Sequence, residues 1–122
     1  MATEPLISVI DDDESLRAAL VRLIRSIGYA ARGFGSAEEF LASGVMADCS
    51  CVVTDIQMPG MNGIELARAI TGQGSTVPVI MITARTVPGL EEDALASGAR
   101  CFLRKPLDTN VLVKCLEDAL KG

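Results

Sequence analysis

The feature that most constrains the fold of this chain is a regular alternation between short apolar runs and longer amphipathic segments. Five apolar runs of strand length end 21 to 28 positions apart, and their last residues are Ile10, Phe34, Asp55, Thr83 and Arg104. That interval is the length of one strand, one turn and one helix. Because runs such as LISVI and CVVTD do not alternate with polar residues, they are typical of parallel strands covered by helices on both faces. The pattern predicts an α/β fold with a doubly wound, five-stranded parallel sheet.

Helical periodicity fills the segments between the predicted strands. It is clearest in a set of apolar residues near the start of the chain: Leu16, Ala19, Leu20, Leu23, Ile24 and Ile27. Further helices are expected from Ser36 to Gly44, after Asn62-Gly63, from about Gly89 to Gly98, and around Leu112 to Leu120. In the first of these, Ser36 and Glu39 have the spacing of a capping box. The sequence contains no linker or repeat, so we expect one domain over residues 1–122.

Composition excludes several classes of function. The chain has no histidine, which rules out catalytic triads and zinc sites that depend on it. Its net charge of -5 argues against direct nucleic-acid binding, because contacts to phosphates need clustered Lys and Arg. No apolar run approaches the roughly 20 residues of a membrane span, and the start MATEPL lacks signal-peptide features. These observations predict a cytoplasmic protein that does not associate with a membrane.

The four cysteines are expected to be structural. Cys49, Cys51, Cys101 and Cys115 form no C-x-x-C pair and lie in or near apolar segments. In number, four cysteines could form two disulfides or a thiolate metal site. Small buried thiols in a reducing compartment are the interpretation that this spacing favours.

Side chains that could take part in catalysis or ligand binding follow the predicted strands. They are Asp11, Asp12, Asp13, Asp55, Thr83 and Lys105. Each has an ordinary structural explanation as a helix cap, a turn residue, a strand residue or a surface charge. However, the carboxyl ends of parallel strands meet at one edge, where such sheets bind ligands. Carboxylates that converge there repel one another unless a cation lies among them, and oxygen ligands suit Mg²⁺. With an ammonium and a hydroxyl added, the set indicates phosphoryl transfer.

Longer motifs carry a family resemblance over essentially the whole chain. The segments are SVIDDDESLR, VVTDIQMPGMNGIEL, PVIMITA and GARCFLRKPLD. Together they resemble the response-regulator receiver domain of two-component signalling, in particular the FixJ-like receivers. The resemblance implies a flavodoxin-like (βα)5 fold. It also implies that Asp55 is the phosphorylation site and that Asp11 and Asp12, the latter 43 positions before Asp55, belong to the Mg²⁺ pocket. Asp13 is then expected to cap a helix.

The same resemblance assigns the remaining site residues. The backbone carbonyl of Gln57 would be a further metal ligand, and Thr83 and Lys105 would bind the phosphoryl oxygens. Phe102 matches an aromatic position whose ring moves inward on activation, although a plain core phenylalanine explains it equally well. The bond before Pro106 is expected to be cis.

Partners follow from the resemblance as well. The phosphoryl donor would be a histidine of a sensor histidine kinase, so this chain would be a phosphoacceptor and not an enzyme. Its output would be a change in the face formed by the predicted fourth helix, fifth strand and fifth helix, through homodimerisation or contact with an effector. FixJ-like receivers commonly precede a helix-turn-helix domain, which we expect to lie outside this chain.

Three other functions would use some of the same residues or the same fold. A haloacid dehalogenase-type phosphatase would use Asp11 and Asp13, but it needs a further acidic pair and usually a longer chain. A flavin-binding module would need a phosphate loop rich in Ser, Thr and Gly, where this chain is acidic. An interaction domain that has lost phosphorylation remains open, although every expected strand-end residue is present.

Overall fold

A computed structural model describes residues 4–121; the first three residues of the MATEPL start and Gly122 lie outside the described part. Five strands form one parallel sheet: β1 (Leu6–Ile10), β2 (Ala30–Phe34), β3 (Cys51–Asp55), β4 (Val79–Thr83) and β5 (Cys101–Arg104). Their order across the sheet is β2-β1-β3-β4-β5. All five end at the residues that the apolar pattern predicts, and the predicted doubly wound α/β fold is confirmed.

Five helices alternate with the strands. They are α1 (Glu14–Ser26), α2 (Ala37–Ser43), α3 (Gly63–Gly72), α4 (Leu90–Ala96) and α5 (Thr109–Leu120). Helices α1 and α5 cover one face of the sheet, and α2, α3 and α4 cover the other. With 13 residues, α1 is the longest of the helices described for residues 4–121, and none of them is long and apolar enough to cross a membrane.

The two central strands explain why the apolar runs do not alternate. Every residue of β3 and β4 is buried. Successive side chains belong to opposite layers: Val52 packs with the α2–α4 side and Val53 with the α1 and α5 side. Because both faces are covered by helices, both positions have to be apolar. Complete burial of a side chain of this size contributes roughly 1.5–3 kcal/mol.

The ends of α2 agree only partly with the predicted capping box. The Ser36 hydroxyl accepts a hydrogen bond from the Glu39 amide at 3.0 Å, as expected. The Glu39 carboxylate, however, accepts from the amide of Gly35 at 3.1 Å, one residue earlier than the box requires. Gly44 ends the helix in the left-handed region, with φ of 75°.

The order of the strands creates a crevice at the carboxyl edge of the sheet. The strand order reverses between β1 and β3, and the helices that follow these strands, α1 and α3, pack on opposite faces. In the register of this pair, Ile10 lies opposite Thr54. The next residues, Asp11 and Asp55, are therefore neighbours at the position where doubly wound sheets bind ligands.

Candidate functional site

Three carboxylates meet in this crevice. Asp11 and Asp55 are only 2% and 8% exposed, and Asp12 is exposed. One carboxylate oxygen from each lies within 4.8 Å of the other two. Carboxylates at this separation repel one another, so the cluster favours a bound cation.

Asp13, the third member of the acidic run, has a different role. Its carboxylate accepts a hydrogen bond from the Leu16 amide at 3.2 Å and caps α1, as predicted. Its own amide donates to Asp11 Oδ1 at 2.9 Å, which helps to fix the buried carboxylate. The Asp13 carboxylate serves at the helix start, and this does not favour a phosphatase that would use Asp11 and Asp13.

Lys105 brings a positive charge to the cluster. Its Nζ lies 3.4 Å from Asp11 Oδ2 and 3.6 Å from Asp55 Oδ2. The following peptide bond, Lys105–Pro106, is cis. The Lys105 amide donates to the Thr83 carbonyl at 2.8 Å and ties the start of this loop to the end of β4. One ammonium faces three carboxylates, so it does not balance their charge.

The pKa of Asp55 is raised above its ordinary value of 3.8. Burial is the largest cause, because it disfavours the charged form. Repulsion from Asp11 and Asp12 acts in the same direction, whereas the attraction of Lys105 opposes the rise. A cation bound beside Asp55 would add to the effect of Lys105 and favour the ionised, nucleophilic form.

The loop after Asp55 is anchored by two carboxylates that the sequence reasoning did not identify. Glu38, on α2, accepts a hydrogen bond from the Met61 amide at 2.9 Å, and this contact lowers the pKa of Glu38. At the start of α3, Asn62 and Glu65 form a complete capping box. The Asn62–Glu65 spacing was visible in the sequence, but the Glu38 contact crosses 23 positions and has no sequence signal.

Gln57 and Thr83 contact each other directly. The Thr83 hydroxyl donates a hydrogen bond to the Gln57 side-chain oxygen at 2.7 Å, and it accepts one from the Arg85 amide at 3.0 Å. The resemblance implied a metal-ligand role for the backbone carbonyl of Gln57, and it implied no contact between the Gln57 side chain and Thr83. The contact is possible because β3 and β4 are neighbours: Asp55 lies opposite Ile82, so the residues just after each strand end come close together.

Phe102 lies on β5, away from the acidic cluster. Its partly buried ring packs against the core on the side of α2, α3 and α4. The Arg104 guanidinium lies over this ring at 5.3 Å from its centre, and Arg104 Nη1 donates to the Arg85 carbonyl at 3.1 Å. The ring is therefore neither wholly in the core nor wholly free.

The donor set of the cluster fits Mg²⁺. All three side chains offer oxygen, the ligand that this ion prefers. One oxygen of each carboxylate lies within 4.8 Å of the other two, so the three can approach a single ion. The residues that the structure brings together for this role are Asp11, Asp12 and Asp55.

The cysteines are unpaired thiols, as the spacing favours. Cys51 is buried and the other three are partly buried. Burial raises the pKa of Cys51 and of Cys101 to about 12. Thiols with such pKa values are protonated at neutral pH, and they are poor nucleophiles and metal ligands.

Comparison with known proteins identifies the family. The family model described as "Response regulator receiver domain" matches residues 7–117. The chain belongs to this family. It is 37% identical to the transcriptional regulatory protein FixJ of Azorhizobium caulinodans, over 93% of this chain and 54% of that protein. The receiver domain thus spans about half the length of this curated relative.

Solved receiver structures agree with the fold. The crystal structure of FixJ-N superposes with a TM-score of 0.89 at 30% identity, and the match covers 99% of this chain and 97% of that one. A response regulator receiver protein from Burkholderia phymatum is 42% identical, with a TM-score of 0.84 and coverage of 97% and 96%. The chain is a FixJ-like receiver domain of a two-component response regulator, with the flavodoxin-like (βα)5 fold that the resemblance implied.

Proposed function

We propose that Asp55 of this receiver domain accepts a phosphoryl group from a histidine of a sensor kinase. An Asp55 carboxylate oxygen forms the new bond to phosphorus while the phosphorus–nitrogen bond of the phosphohistidine breaks, and the imidazole, already protonated at its other ring nitrogen, leaves as the neutral ring. The observation that carries this proposal is the position of Asp55, buried at the sheet crevice within reach of Lys105 and two other carboxylates. The kinase supplies the histidine that this chain lacks.

The other residues of the crevice bind and orient the group. The carboxylates of Asp11, Asp12 and Asp55, with the backbone carbonyl of Gln57, would hold Mg²⁺. The ion, when bound, offsets the negative charge that the phosphoryl oxygens bring to the site. Lys105 can donate from its ammonium to a phosphoryl oxygen, because it already lies between Asp11 and Asp55.

We further propose that phosphorylation is transmitted through Thr83 and Phe102. When Thr83 turns its hydroxyl toward the phosphoryl group, it leaves space that the Phe102 ring can enter. The surface that would respond, the α4–β5–α5 face, consists of α4, β5 and α5 and carries the exposed side chains of Leu95 and Val111. A second copy of the chain or an effector would bind there.

The chain would act as a phosphoacceptor with only self-phosphorylation and self-dephosphorylation chemistry, not as an enzyme. Its net charge of -5 supports an arrangement in which any DNA contact belongs to a separate helix-turn-helix output domain. The unpaired thiols are in keeping with the reducing cytoplasm as the predicted compartment.

Intact-mass spectrometry after incubation with acetyl phosphate and Mg²⁺ tests the phosphoacceptor role. We expect the wild-type chain to gain one phosphoryl group and Asp55→Asn to gain none. Asp13→Asn is the matched control, because Asp13 caps α1, and it should still be labelled. Equal labelling of Asp55→Asn and wild type, or no labelling of the wild type, would overturn the proposal.

A further inference from the structure

A continuous set of polar contacts joins the loop after Asp55 to strand β5. It begins at Gln57, whose side-chain oxygen accepts the hydrogen bond of the Thr83 hydroxyl at 2.7 Å. The Thr83 oxygen in turn accepts from the Arg85 amide at 3.0 Å. The Arg85 carbonyl accepts from the Arg104 guanidinium at 3.1 Å, and that guanidinium covers the Phe102 ring.

The Thr83 hydroxyl has no second proton to offer. A hydroxyl has one O–H donor, and phosphoryl oxygens can only accept hydrogen bonds. Thr83 is completely buried, so water does not replace a lost partner at low cost. The bond from Thr83 to Gln57 and a bond from Thr83 to a phosphoryl oxygen therefore exclude each other.

The contacts at Arg85 hold the following segment by its backbone. Its amide is bound to Thr83 and its carbonyl to Arg104, while its own side chain is exposed. When Thr83 moves toward the phosphorylation site, the Arg85 amide bound to it would shift, and with it the carbonyl that Arg104 holds. Because Arg104 also covers Phe102, the same change reaches the ring of Phe102 on β5.

We propose that Gln57 and Arg104 are positioning residues at the two ends of a restraint that holds the receiver domain in its unphosphorylated arrangement. The restraint consists of the contacts Gln57–Thr83, Thr83–Arg85 and Arg85–Arg104. Phosphoryl binding has to break the first contact, so the restraint lowers the apparent affinity for the phosphoryl group. The inference rests on the proposed function, in which Thr83 binds a phosphoryl oxygen.

Titration with beryllium fluoride in saturating Mg²⁺ measures this effect. The complex mimics an aspartyl phosphate and is not hydrolysed, so its affinity reports an equilibrium. Gln57→Met removes the acceptor and keeps both the length of the side chain and the backbone carbonyl. Loss of one buried hydrogen bond that favours the unliganded state should tighten binding roughly fivefold. Arg104 is exposed, so Arg104→Met should tighten binding by less, roughly twofold.

Matched substitutions outside the restraint serve as controls. Gln73→Met and Arg100→Met make the same chemical changes at exposed positions away from the crevice, and they should bind beryllium fluoride like the wild type. Because Gln57 and Arg104 hold one connected set of groups, the double variant should gain less than the product of the single effects. Unchanged or weaker binding by Gln57→Met overturns the restraint.

Hydrogen exchange in the unliganded chain gives a second readout. The Arg85 amide is bound only to the Thr83 hydroxyl oxygen among the contacts of residues 4–121. When Gln57→Met frees that hydroxyl, the Arg85 amide should exchange several-fold faster, whereas the amides of β3 should not change. Equal Arg85 exchange in variant and wild type contradicts the restraint even if the variant is fully folded.

The two proposals fail in different ways. If the wild-type chain binds no beryllium fluoride in the presence of Mg²⁺, the proposed function is contradicted. The proposal that the restraint controls phosphorylation then fails as well. A wild-type chain that binds normally, beside a Gln57→Met chain with the same affinity and the same Arg85 exchange, contradicts the restraint alone.

Discussion

Asp55 has to be ionised to act as a nucleophile, yet its surroundings favour the protonated form. Burial raises its pKa, and repulsion from Asp11 raises it further. Lys105, 3.6 Å away, acts in the opposite direction. The ionised form of Asp55 therefore lowers the free energy of unfolding. A cation that relieves the repulsion would raise this free energy and also favour the ionised form that can act as a nucleophile.

This cost predicts how stability depends on pH. A carboxyl group whose pKa is raised in the folded state does not weaken the fold below its unfolded-state pKa of 3.8. The cost appears as the pH rises through the higher folded-state pKa. In Mg²⁺-free buffer, Asp55→Asn should therefore melt at a higher temperature than the wild type at neutral pH, and the difference should vanish below pH 3.8.

Thermal melts followed by circular dichroism across this range check the expectation. Asp48→Asn, at an exposed position outside the cluster, is the control and should follow the wild-type curve. An Asp55→Asn chain that melts at or below the wild-type temperature at neutral pH would show that the carboxylate is not under the expected strain.

Substitution of two neighbouring aspartates should change the response to Mg²⁺ differently. Asp12 belongs to the carboxylate cluster, whereas Asp13 caps α1. At a Mg²⁺ concentration ten times the Kd, binding stabilises the folded wild type by about 1.4 kcal/mol. Asp12→Ala should lose most of this gain. Asp13→Ala should lose about 1 kcal/mol of basal stability and keep the gain. Melting curves with and without Mg²⁺ distinguish the two, and equal Mg²⁺ shifts in both variants would count against the metal site.

At the scale of elements, the start of α3 packs directly on the end of β3. Gly63 is the first residue of α3, and a Cβ at this position would lie 2.6 Å from the Asp55 carbonyl oxygen. The Gly63 amide donates to the Ile56 carbonyl at 3.0 Å, which brings the two backbones together. The absence of a side chain at residue 63 thus sets the position of Asp55, the proposed phosphorylation site.

We expect Gly63→Ala to damage both stability and phosphorylation. The added methyl has to displace the backbone of Asp55, which costs about 1–3 kcal/mol and moves the nucleophile. Gly72→Ala, at the other end of α3, meets no atom within 4 Å and should be neutral or stabilise the chain by up to about 1 kcal/mol. Chemical denaturation and labelling by acetyl phosphate measure the two effects. A fully stable and fully active Gly63→Ala chain would contradict this account.

The elements themselves could be predicted because their causes are local. The central strands β3 and β4 are buried on both faces and are therefore mainly apolar, and short mainly apolar runs also mark β1, β2 and β5, so all five strand ends were visible in the sequence. The Asp13 cap and the cis Lys105–Pro106 bond agree with what the family resemblance implied. The fourth helix, expected from about Gly89 to Gly98, runs from Leu90 to Ala96, because Gly89 and Gly98 have φ of 82° and 108° and lie outside its two ends.

Contacts between loops could not be predicted in the same way. Gln57 and Thr83 are 26 positions apart, and Glu38 and Met61 are 23 apart. Both contacts depend on the path of a loop and on the rotamer of one long side chain, which hydrophobic periodicity does not encode. For the same reason Glu39 bonds to Gly35 instead of completing the expected capping box.

At the scale of the whole molecule, the sheet connects the crevice to the α4–β5–α5 face. Thr83 ends β4, and the neighbouring strand β5 carries Phe102. The large apolar side chains that are most exposed within residues 4–121 lie in α4, in α5 and in the segment before α4: Leu95, Val111 and Val87. A local change at Thr83 therefore needs to cross only one strand to reach an apolar surface.

Self-association should depend on this surface. With beryllium fluoride and Mg²⁺, we expect sedimentation velocity to detect a larger dimer fraction than in the unliganded chain. Leu95→Glu places a charge on the face and should abolish the increase, whereas Ala18→Glu, on the exposed side of α1, should not. If the wild-type sedimentation coefficient is the same with and without the mimic, the output of this receiver domain does not operate through its own dimer.

Borohydride reduction of the chain after phosphorylation tests the central claim most directly. The reagent converts an aspartyl phosphate to homoserine, and peptide sequencing by mass spectrometry locates the modified residue. The account predicts homoserine at position 55 and at none of the other acidic positions of the crevice. Homoserine at Asp11 or Asp12, or a phosphorylated chain that yields no homoserine, would contradict it.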